Sequence, residues 1–305
     1  MSKKDSVAAH YDGGAENYHL QYEKDLLSDI TRDYPANYFR MHLLINSFIE
    51  NNLSRVVEIG VGEGTPLVQL SKAGMDVSGI DISQNMVKKA KENFASNNLD
   101  ENKISWGDIE DPKTYNHLLN DGKYDALLAM GVMPHVRDIQ FVLQNMKSMV
   151  SPGGKFFIEF RNKLFSLFTF NRHTHEFNLN DLLTDVAPEL KAIVAKDLEG
   201  RLEMDKPTPR LKESSAGANA EDFVGYDEIL SEFHNPFEVR DLFTKLGFID
   251  IKFLWYHYHP AMPFLTAENA DLFRSEALNL EYESSGWRGL FLCSAFVIEA
   301  SVPTE

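Results

Sequence analysis

The stretch Val56-Val57-Glu58-Ile59-Gly60-Val61-Gly62-Glu63-Gly64-Thr65 decides the fold of this chain. A short apolar strand that leads through three alternate glycines into a helix makes a turn without obstructing side chains, so a ligand can lie against the backbone. The next apolar strand, Val77-Ser78-Gly79-Ile80-Asp81, ends in an acid that can hold a ribose. This combination of a glycine loop and an acid is typical of α/β folds that bind nucleosides.

The spacing of the glycines indicates which kind of nucleoside suits the loop. Dinucleotide-binding loops follow the pattern G-x-G-x-x-G, which would need a small residue where this chain has Thr65. Glu58, two positions before the first glycine, would repel a pyrophosphate but could accept hydrogen bonds, directly or through water, from the ammonium of an amino-acid moiety. An ordinary tight turn is the alternative interpretation of the glycines taken alone.

Beyond the loop, apolar strands alternate with helices. Strand 1 lies just before Gly60, and further strands are predicted at 77–82, 104–108, 124–130, 155–160, 249–258 and 289–300. Capping side chains followed by proline predict helix starts at Thr65-Pro66 and Asn235-Pro236, and Ser83 caps another helix. The alternation implies an α/β fold with a doubly wound, mostly parallel sheet, whose ligands bind at the carboxyl ends of the strands.

The alternation stops after Arg161, which divides the chain into regions. Residues 162–234 are first aromatic and helical and then polar, and they are too long for a connecting loop. We predict that they form an inserted helical lid over the open end of the sheet. The core then comprises residues 51–161 and 235–305, and residues 1–50 form an N-terminal helical cap.

The segment from Glu58 to Gly64 resembles motif I of the class I, Rossmann-like S-adenosylmethionine (SAM) methyltransferases. Gly107-Asp108-Ile109, Gly131 to Val136 and Val150 to Gly154 resemble, in order, further motifs of that family. The resemblance covers roughly residues 53–160 and 237–300. It implies a seven-stranded sheet of strand order 3-2-1-4-5-7-6, with the last strand antiparallel.

The resemblance also implies SAM as cofactor, S-adenosylhomocysteine as its product, and a set of cofactor-binding residues. Asp81 would bind the ribose hydroxyls, Asp108 the adenine amino group, and an N-terminal tyrosine would close over SAM. A mobile helix with surface tyrosines is the alternative for that N-terminal segment. The implied cofactor-binding set is Tyr11, Tyr18, Glu58, Gly60, Gly62, Gly64, Asp81, Ile82, Met86, Asp108, Ile109, Met130 and Gly131.

Composition favours a small molecule as the partner. The net charge of -16 and the absence of any basic run argue against nucleic acid. The family's N/D-P-P-Y signature of nucleic-acid and glutamine methyltransferases does not follow strand 4. The longest apolar run, Leu290 to Ile298, is too short to span a bilayer, and the first residues lack the pattern of a secretory signal. We therefore expect a cytoplasmic protein, with a homodimer possible, and a buried structural thiol at Cys293.

Two residues are candidates for the chemistry. His135, in the loop after strand 4, could take a proton from a hydroxyl acceptor, or it could only shape the pocket. Arg161, at the end of strand 5, could bind an acidic group of the acceptor, or it could form a structural ion pair. His234 could face the site but is more simply explained as flanking a helix. The pairs His173/His175 and His257/His259 lack a third ligand that we can place, so we expect no metal.

The sequence leaves the acceptor open. We expect a methyltransferase that acts on a small molecule, with oxygen as the favoured acceptor atom and nitrogen next. Methylation of a protein or peptide side chain, and a non-catalytic SAM-binding protein, are the alternatives. Specificity must be encoded outside the shared motifs, in the insertion and in Tyr256-His257-Tyr258-His259-Pro260.

Overall fold

The computed structural model describes residues 34–202, 232–263 and 270–304. Tyr11 and Tyr18, predicted to close over the cofactor, lie outside the described residues. The strands are β1 (Arg55–Ile59), β2 (Asp76–Asp81), β3 (Ile104–Trp106), β4 (Tyr124–Ala129), β5 (Val150–Arg161), β6 (Ile249–Tyr258) and β7 (Cys293–Ser301). The helices are α1 (Ala36–Glu50), α2 (Thr65–Lys72), α3 (Gln84–Ser96), α4 (Ile139–Met149), α5 (Phe165–Thr169), α6 (Arg172–Phe177), α7 (Pro188–Leu202), α8 (Pro236–Lys245), α9 (Ala270–Leu280) and α10 (Gly289–Leu292).

The seven strands form one sheet in the order β3-β2-β1-β4-β5-β7-β6. The pairs among β1 to β5 are parallel, and β7 runs antiparallel to both of its neighbours. Because parallel strands end at the same edge of a sheet, the glycine loop, Asp81 and the loop after β4 meet at one edge. The predicted α/β fold and its strand order are confirmed.

Helices cover both faces of the sheet, as the alternation of side chains along each strand requires. Val57, Leu127 and Ile158 point to the face that α4 and α8 cover. Val56 and Leu128 point to the opposite face, where α1, α2 and α3 pack. The strands are therefore buried on both sides, which explains their nearly continuous apolar sequences.

Helix α1 is fastened to the sheet by polar as well as apolar contacts. The ring of Phe48 stacks on Phe157 of β5, with 4.9 Å between the centroids. Ser47 donates a hydrogen bond of 2.9 Å to the buried carboxylate of Glu299 on β7. Arg40 pairs with Glu159 of β5, Nη1 to Oε2, at 2.5 Å, and both side chains are buried. Few globular helices bury an arginine in this way without a functional or structural reason.

Three local predictions were wrong in detail. The cap of α2 is Gly64, in the left-handed conformation, and the hydroxyl of Thr65 binds Glu63 instead of capping the helix. Strand β5 begins at Val150, earlier than predicted, because the residues before Lys155 continue its ladder through an irregular register. Residues Gly289–Leu292 form a helical turn before β7. Gly289 packs so closely on Trp255 that a Cβ there would lie 2.1 Å from the indole.

The described part of the insertion packs at the edge of the sheet where the strands end. Helices α5 and α6 follow each other closely, and a π-helical turn at Asn178–Leu182 leads from α6 toward α7. The ring of Phe165 on α5 lies 4.7 Å from that of His259, just beyond β6. On the return, the backbone N–H of Glu232 donates to Pro134 O in the loop after β4. The domain boundaries inferred from the sequence stay a prediction.

Candidate cofactor and acceptor site

A cleft lies at the carboxyl ends of β1, β2 and β4, between the glycine loop and the loop after β4. Ten residues of the predicted cofactor and catalytic sets contribute to its walls. It is lined by Ile59, Gly60, Gly62, Ile80, Asp81, Ile82, Met86, Gly107, Asp108, Ile109, Glu110, Met130, Gly131, Val132, His135 and Val136. Residues far apart in the sequence meet here because each follows the end of a strand in one parallel sheet.

The glycine loop has the geometry that makes a close backbone approach possible. Gly60, Gly62 and Gly64 all have positive φ angles, of 76°, 54° and 83°. A Cβ on Gly60 would lie 2.5 Å from Cγ2 of Val132, so the loop packs directly on the loop after β4. Gly64 stands behind the cleft, next to Ala90 of α3, and serves as the cap of α2. The first two glycines therefore shape the cleft, and the third lets the chain turn into the helix.

Asp81, at the end of β2, connects the glycine loop with the start of α3 by hydrogen bonds. Its Oδ2 accepts a hydrogen bond of 2.9 Å from the backbone N–H of Gly62, and its Oδ1 accepts one of 2.8 Å from that of Ser83. Ser83 in turn caps α3 by accepting from the N–H of Met86 at 3.1 Å, as predicted. Asp81 also lines the cleft, so its carboxylate borders the space that a ligand would occupy.

Glu58 lies directly before the loop and is 1 % exposed. Its Oε2 has no hydrogen-bond partner within the described ranges. Burial, opposed by Arg40 of α1 and reinforced by nearby Asp81, raises the pKa of Glu58 to about 8. A buried carboxylate oxygen without a partner is a place where a positively charged donor would bind.

Asp108 lies past the end of β3, at the far end of the cleft. Its Oδ1 accepts from the N–H of Glu110 at 2.9 Å, and its own N–H donates to Thr114 at 2.9 Å. The indole N–H of Trp106 donates to Ile82 O at 2.9 Å. These bonds hold the ends of β2 and β3 together and set the position of Asp108 in the cleft wall.

The two residues proposed for chemistry take different positions. His135 lines the cleft, in a single helical turn of residues Met133–His135 after β4. Arg161 does not line it, because β5 is the next strand outward and Arg161 is its last residue. The backbone O of Arg161 accepts from the N–H of His234, which links the end of β5 to the returning insertion.

Sequence reasoning missed two contributors to this region. Glu110 lines the cleft, and its place two residues after Asp108 was the available signal. Arg40 lies more than a dozen residues before motif I, and only the packing of α1 brings it to the buried acids Glu58 and Glu159. A lone arginine on an amphipathic helix gives no such indication.

The described residues fit SAM. Gly60 and Gly62 leave backbone open to a ligand, and the carboxylate of Asp81 borders the cleft where ribose hydroxyls would lie. The Oε2 of Glu58, without a partner among the described residues, suits the ammonium of a methionine moiety. Apolar walls at Ile109 and Val136 suit a base. This cleft, in a sheet of order 3-2-1-4-5-7-6, defines a class I SAM-dependent methyltransferase.

Comparison with known proteins identifies the family. A family model described as a methyltransferase domain matches residues 50–213, more than half of the 305 residues. The chain therefore belongs to the methyltransferase family, and it is an enzyme that uses SAM. It is 30% identical over 165 residues to a ubiquinone biosynthesis O-methyltransferase of Coxiella burnetii, covering 50% of this chain and 68% of that protein. A protein of the same name from Haemophilus ducreyi is 28% identical over 109 residues, covering 36% of this chain and 46% of that protein.

Solved structures with similar folds are more distant in sequence. Magnesium protoporphyrin IX methyltransferase from Synechocystis PCC 6803, solved with bound SAH, superposes with a TM-score of 0.52 at 14% identity, covering 98% of this chain and 99% of that chain. Phosphoethanolamine N-methyltransferase 2 of Haemonchus contortus gives a TM-score of 0.52 at 15% identity, covering 100% of this chain and 60% of that chain. At such identities the likeness concerns the fold alone.

Membrane-spanning helices and metal sites are both absent from the residues that the structure describes. Among the helices of the described ranges, none combines the length and the apolar character that crossing a lipid bilayer requires. Within the same residues, no three His, Cys, Asp or Glu side chains come together as a metal site. His173 and His175 lie on α6 rather than on a strand, and the rings of His257 and His259 are 4.7 Å apart.

Proposed function

We propose that this enzyme transfers the methyl group of SAM to an oxygen atom of a small organic acceptor. The observation that carries the proposal is the packing of the insertion over the edge where the strands end. Phe165 lies against His259, and Glu232 is hydrogen-bonded to Pro134, so the insertion is anchored on both sides of β5. A covered, aromatic-rich acceptor side suits a small molecule better than an extended peptide. The O-methyltransferases among the relatives support oxygen as the acceptor atom.

The chain's own residues hold the cofactor in this proposal. SAM supplies a methyl group on a sulfonium, which is an excellent leaving group. Asp81 accepts hydrogen bonds from the ribose hydroxyls while it keeps the loop in place through Gly62. Glu58 accepts from the ammonium, whose positive charge offsets the cost of burying the carboxylate. Asp108 and the apolar side chains of Ile109 and Val136 hold the adenine.

Methyl transfer to a hydroxyl also requires an aligned acceptor and a place for its proton. His135 remains the first candidate for the proton, because it lines the cleft next to Val132, at the wall nearest to β5. Arg161 remains the candidate for an acidic group of the acceptor, since it ends the strand beside that wall. Both roles are proposals. The net charge of -16 supports a small acceptor over a nucleic acid.

The test is a product assay with an open choice of acceptor. The purified protein is incubated with SAM labelled on the methyl group and with panels of phenols, catechols, hydroxy acids and amines, and in parallel with a metabolite extract and with a protein extract. We expect label in a small molecule, on oxygen. Label only in amines would move the acceptor atom to nitrogen, and label only in protein would replace the small-molecule proposal.

The control separates turnover from cofactor binding. SAM and S-adenosylhomocysteine binding are measured by calorimetry on the same preparation. Tight cofactor binding without labelled product in any panel or extract would favour a non-catalytic SAM-binding protein and would contradict the proposed function.

A further inference from the structure

His234 is an anomaly in the packing of this protein. The residue is 8 % exposed, yet neither ring nitrogen has a hydrogen-bond partner in the part of the chain that the structure describes. A neutral imidazole carries one N–H donor and one acceptor nitrogen, so two polar groups are buried unpaired. Each such group destabilises the folded state, and native proteins bury few of them without a reason.

The position of His234 connects it with the reaction site. Its N–H donates to Arg161 O at 2.8 Å, and its carbonyl accepts from Lys163 N at 2.9 Å, so it continues the sheet edge beside the end of β5. Two residues earlier, the N–H of Glu232 donates to Pro134 O. Pro134 directly precedes His135 of the cleft wall. The segment 232–234 therefore connects the loop that carries His135 with the end of β5, and His234 lies at the β5 end of that segment.

The surroundings keep the imidazole neutral and fix its plane. Burial, together with the charge of nearby Lys163, lowers the pKa of His234 to about 4. The ring packs edge-on against Phe160, with 5.1 Å between the centroids. A neutral, immobile imidazole can accept one hydrogen bond and donate one, in directions set in advance.

A second buried group without a hydrogen-bond partner among the described residues lies at the start of the insertion. Ser166, on α5, is 5 % exposed, and its hydroxyl oxygen likewise has no hydrogen-bond partner among residues 34–202, 232–263 and 270–304. Its N–H donates to Lys163 O, one turn before it, and Lys163 is the residue that pairs with His234. The junction between β5 and the insertion therefore concentrates unpaired polar groups within an apolar, aromatic setting.

We propose that His234 is a specificity-determining residue that binds the acceptor molecule by hydrogen bonds at the junction between β5 and the insertion. The inference rests on the proposed function, and it names the chemistry of the acceptor. The two ring nitrogens point away from each other, so one group of a ligand pairs one of them, by donating to the bare nitrogen or accepting from the N–H. A hydroxyl group on an otherwise apolar ring that packs among the phenylalanines has that chemistry. His234 would thus contact the acceptor while His135 lies toward the cofactor.

The experiment compares two variants at this position. His234→Phe keeps a planar ring but removes both nitrogens, whereas His234→Asn keeps a donor and an acceptor on a shorter side chain. His117→Phe is the control, because His117 is exposed on a single turn before β4, away from this junction. For each protein we measure the melting temperature, the Kd for S-adenosylhomocysteine, and acceptor kcat and KM with a panel of catechols, phenols and hydroxy acids.

We expect His234→Phe to melt at or above the wild-type temperature, because it leaves no buried nitrogen unpaired. The acceptor KM should rise roughly tenfold or more, the value of one lost hydrogen bond, with the S-adenosylhomocysteine Kd within about twofold. The acceptor KM of His234→Asn should lie between those of the wild type and His234→Phe, and the KM of His117→Phe should match that of the wild type. A wild-type KM in His234→Phe, or a lower melting temperature together with weaker cofactor binding, would overturn the proposal.

A binding measurement keeps this inference separate from the proposed function. If the wild type methylates no compound of the panel, the proposed function fails, and binding of the panel to the protein saturated with S-adenosylhomocysteine is followed by ligand-detected NMR. Compounds that bind the wild type but not His234→Phe support the acceptor contact. Equal binding to both proteins, or no binding to either, contradicts it.

Discussion

Asp81 illustrates how one residue serves both the fold and the ligand. Its two oxygens accept hydrogen bonds from the glycine loop and from the start of α3. Its position at the end of β2 was predictable from the sequence, because an acid after an apolar strand is a visible pattern. Its bond to Gly62 was not, since that contact depends on how the loop folds back over β2.

We predict that Asp81→Ala weakens SAM binding by more than ~1.4 kcal/mol, a tenfold loss, because the ribose loses its acceptor. Calorimetry with SAM measures the change. Asp76→Ala, at the opposite end of the same strand, is the matched control and should bind normally. Asp81→Ala removes both the ribose contact and the support of the glycine loop. An S-adenosylhomocysteine analogue without ribose hydroxyls separates the two effects, because its affinities for Asp81→Ala and for the wild type should differ less than those of S-adenosylhomocysteine do. Unchanged SAM affinity in Asp81→Ala would refute the ribose assignment.

A second prediction at the residue scale concerns Gly60. Gly60→Ala combines a left-handed backbone with a Cβ 2.5 Å from Val132, so we expect it to lower the free energy of unfolding by about 2 kcal/mol or more. Gly74→Ala is the control: its φ is 95°, but a Cβ there meets nothing within 4 Å in the described structure. Gly74→Ala should lower the free energy of unfolding by about 1 kcal/mol, the cost of placing an alanine in a left-handed backbone conformation. Urea unfolding measures both, and equal losses would show that contact with Val132 is unimportant.

At the scale of elements, helix α1 supplies a positive charge for the buried acids of the sheet, which the sequence motifs do not contain. It covers β5 and β7 and brings Arg40 to two buried acids, Glu58 and Glu159. Buried charges are stable only when paired, so the helix and the carboxyl half of the sheet depend on each other. The sequence predicts a helix here but not its electrostatic role, because a single arginine has no periodic signal.

We expect Arg40→Met to lower the free energy of unfolding by about 3 kcal/mol or more, since Glu159 would remain buried without a partner. Lys88→Met, which removes an exposed pair with Glu92 on α3, is the control and should change it by less than about 0.5 kcal/mol. The double variant Arg40→Met/Glu159→Leu should recover much of the loss, because both charges are then absent. Denaturant unfolding measures all three. A small loss in Arg40→Met would mean that water reaches Glu159.

At the scale of the whole molecule, Glu281 joins parts of the chain that are distant in sequence. Its Oε1 accepts from the hydroxyl of Tyr34 at 2.8 Å and from the N–H of Tyr258 at 2.9 Å. Its Oε2 is buried and has no hydrogen-bond partner among the residues described. The segment before α1, the end of β6 and the segment after α9 therefore meet at one carboxyl group, whose protonation affects the stability of the whole fold.

Burial raises the pKa of Glu281 from 4.5 to about 7 in the folded protein. The folded state therefore binds this proton more tightly, and its contribution to stability is fully present below about pH 4.5 and is lost as the pH rises through 7. We expect the loss to be on the order of 1 to 3 kcal/mol. Glu281→Gln, which resembles the protonated form, should match the wild type at pH 5 and exceed it at pH 8.

Urea unfolding at several pH values checks this expectation. Glu276→Gln, an exposed position on α9, is the control and should follow the wild type throughout. Some dependence on pH should persist in Glu281→Gln, because the pKa of Glu58 is raised in the same direction. Parallel curves for Glu281→Gln and the wild type would show that Glu281 does not titrate in this range.

The sequence by itself determined the alternation of strands and helices, the glycine loop, and Asp81 and Asp108 of the cofactor cleft, whereas the strand order was implied by the resemblance to the methyltransferase family. These features are local: alternation, glycine spacing and an acid at a strand end depend on neighbours along the chain, and a parallel sheet brings the strand ends together. Tertiary structure alone decided the surroundings of Arg40, Glu281 and His234, which owe their burial to elements far away in sequence. A buried, unpaired imidazole is a property of packing, and it becomes visible only when the chain is folded.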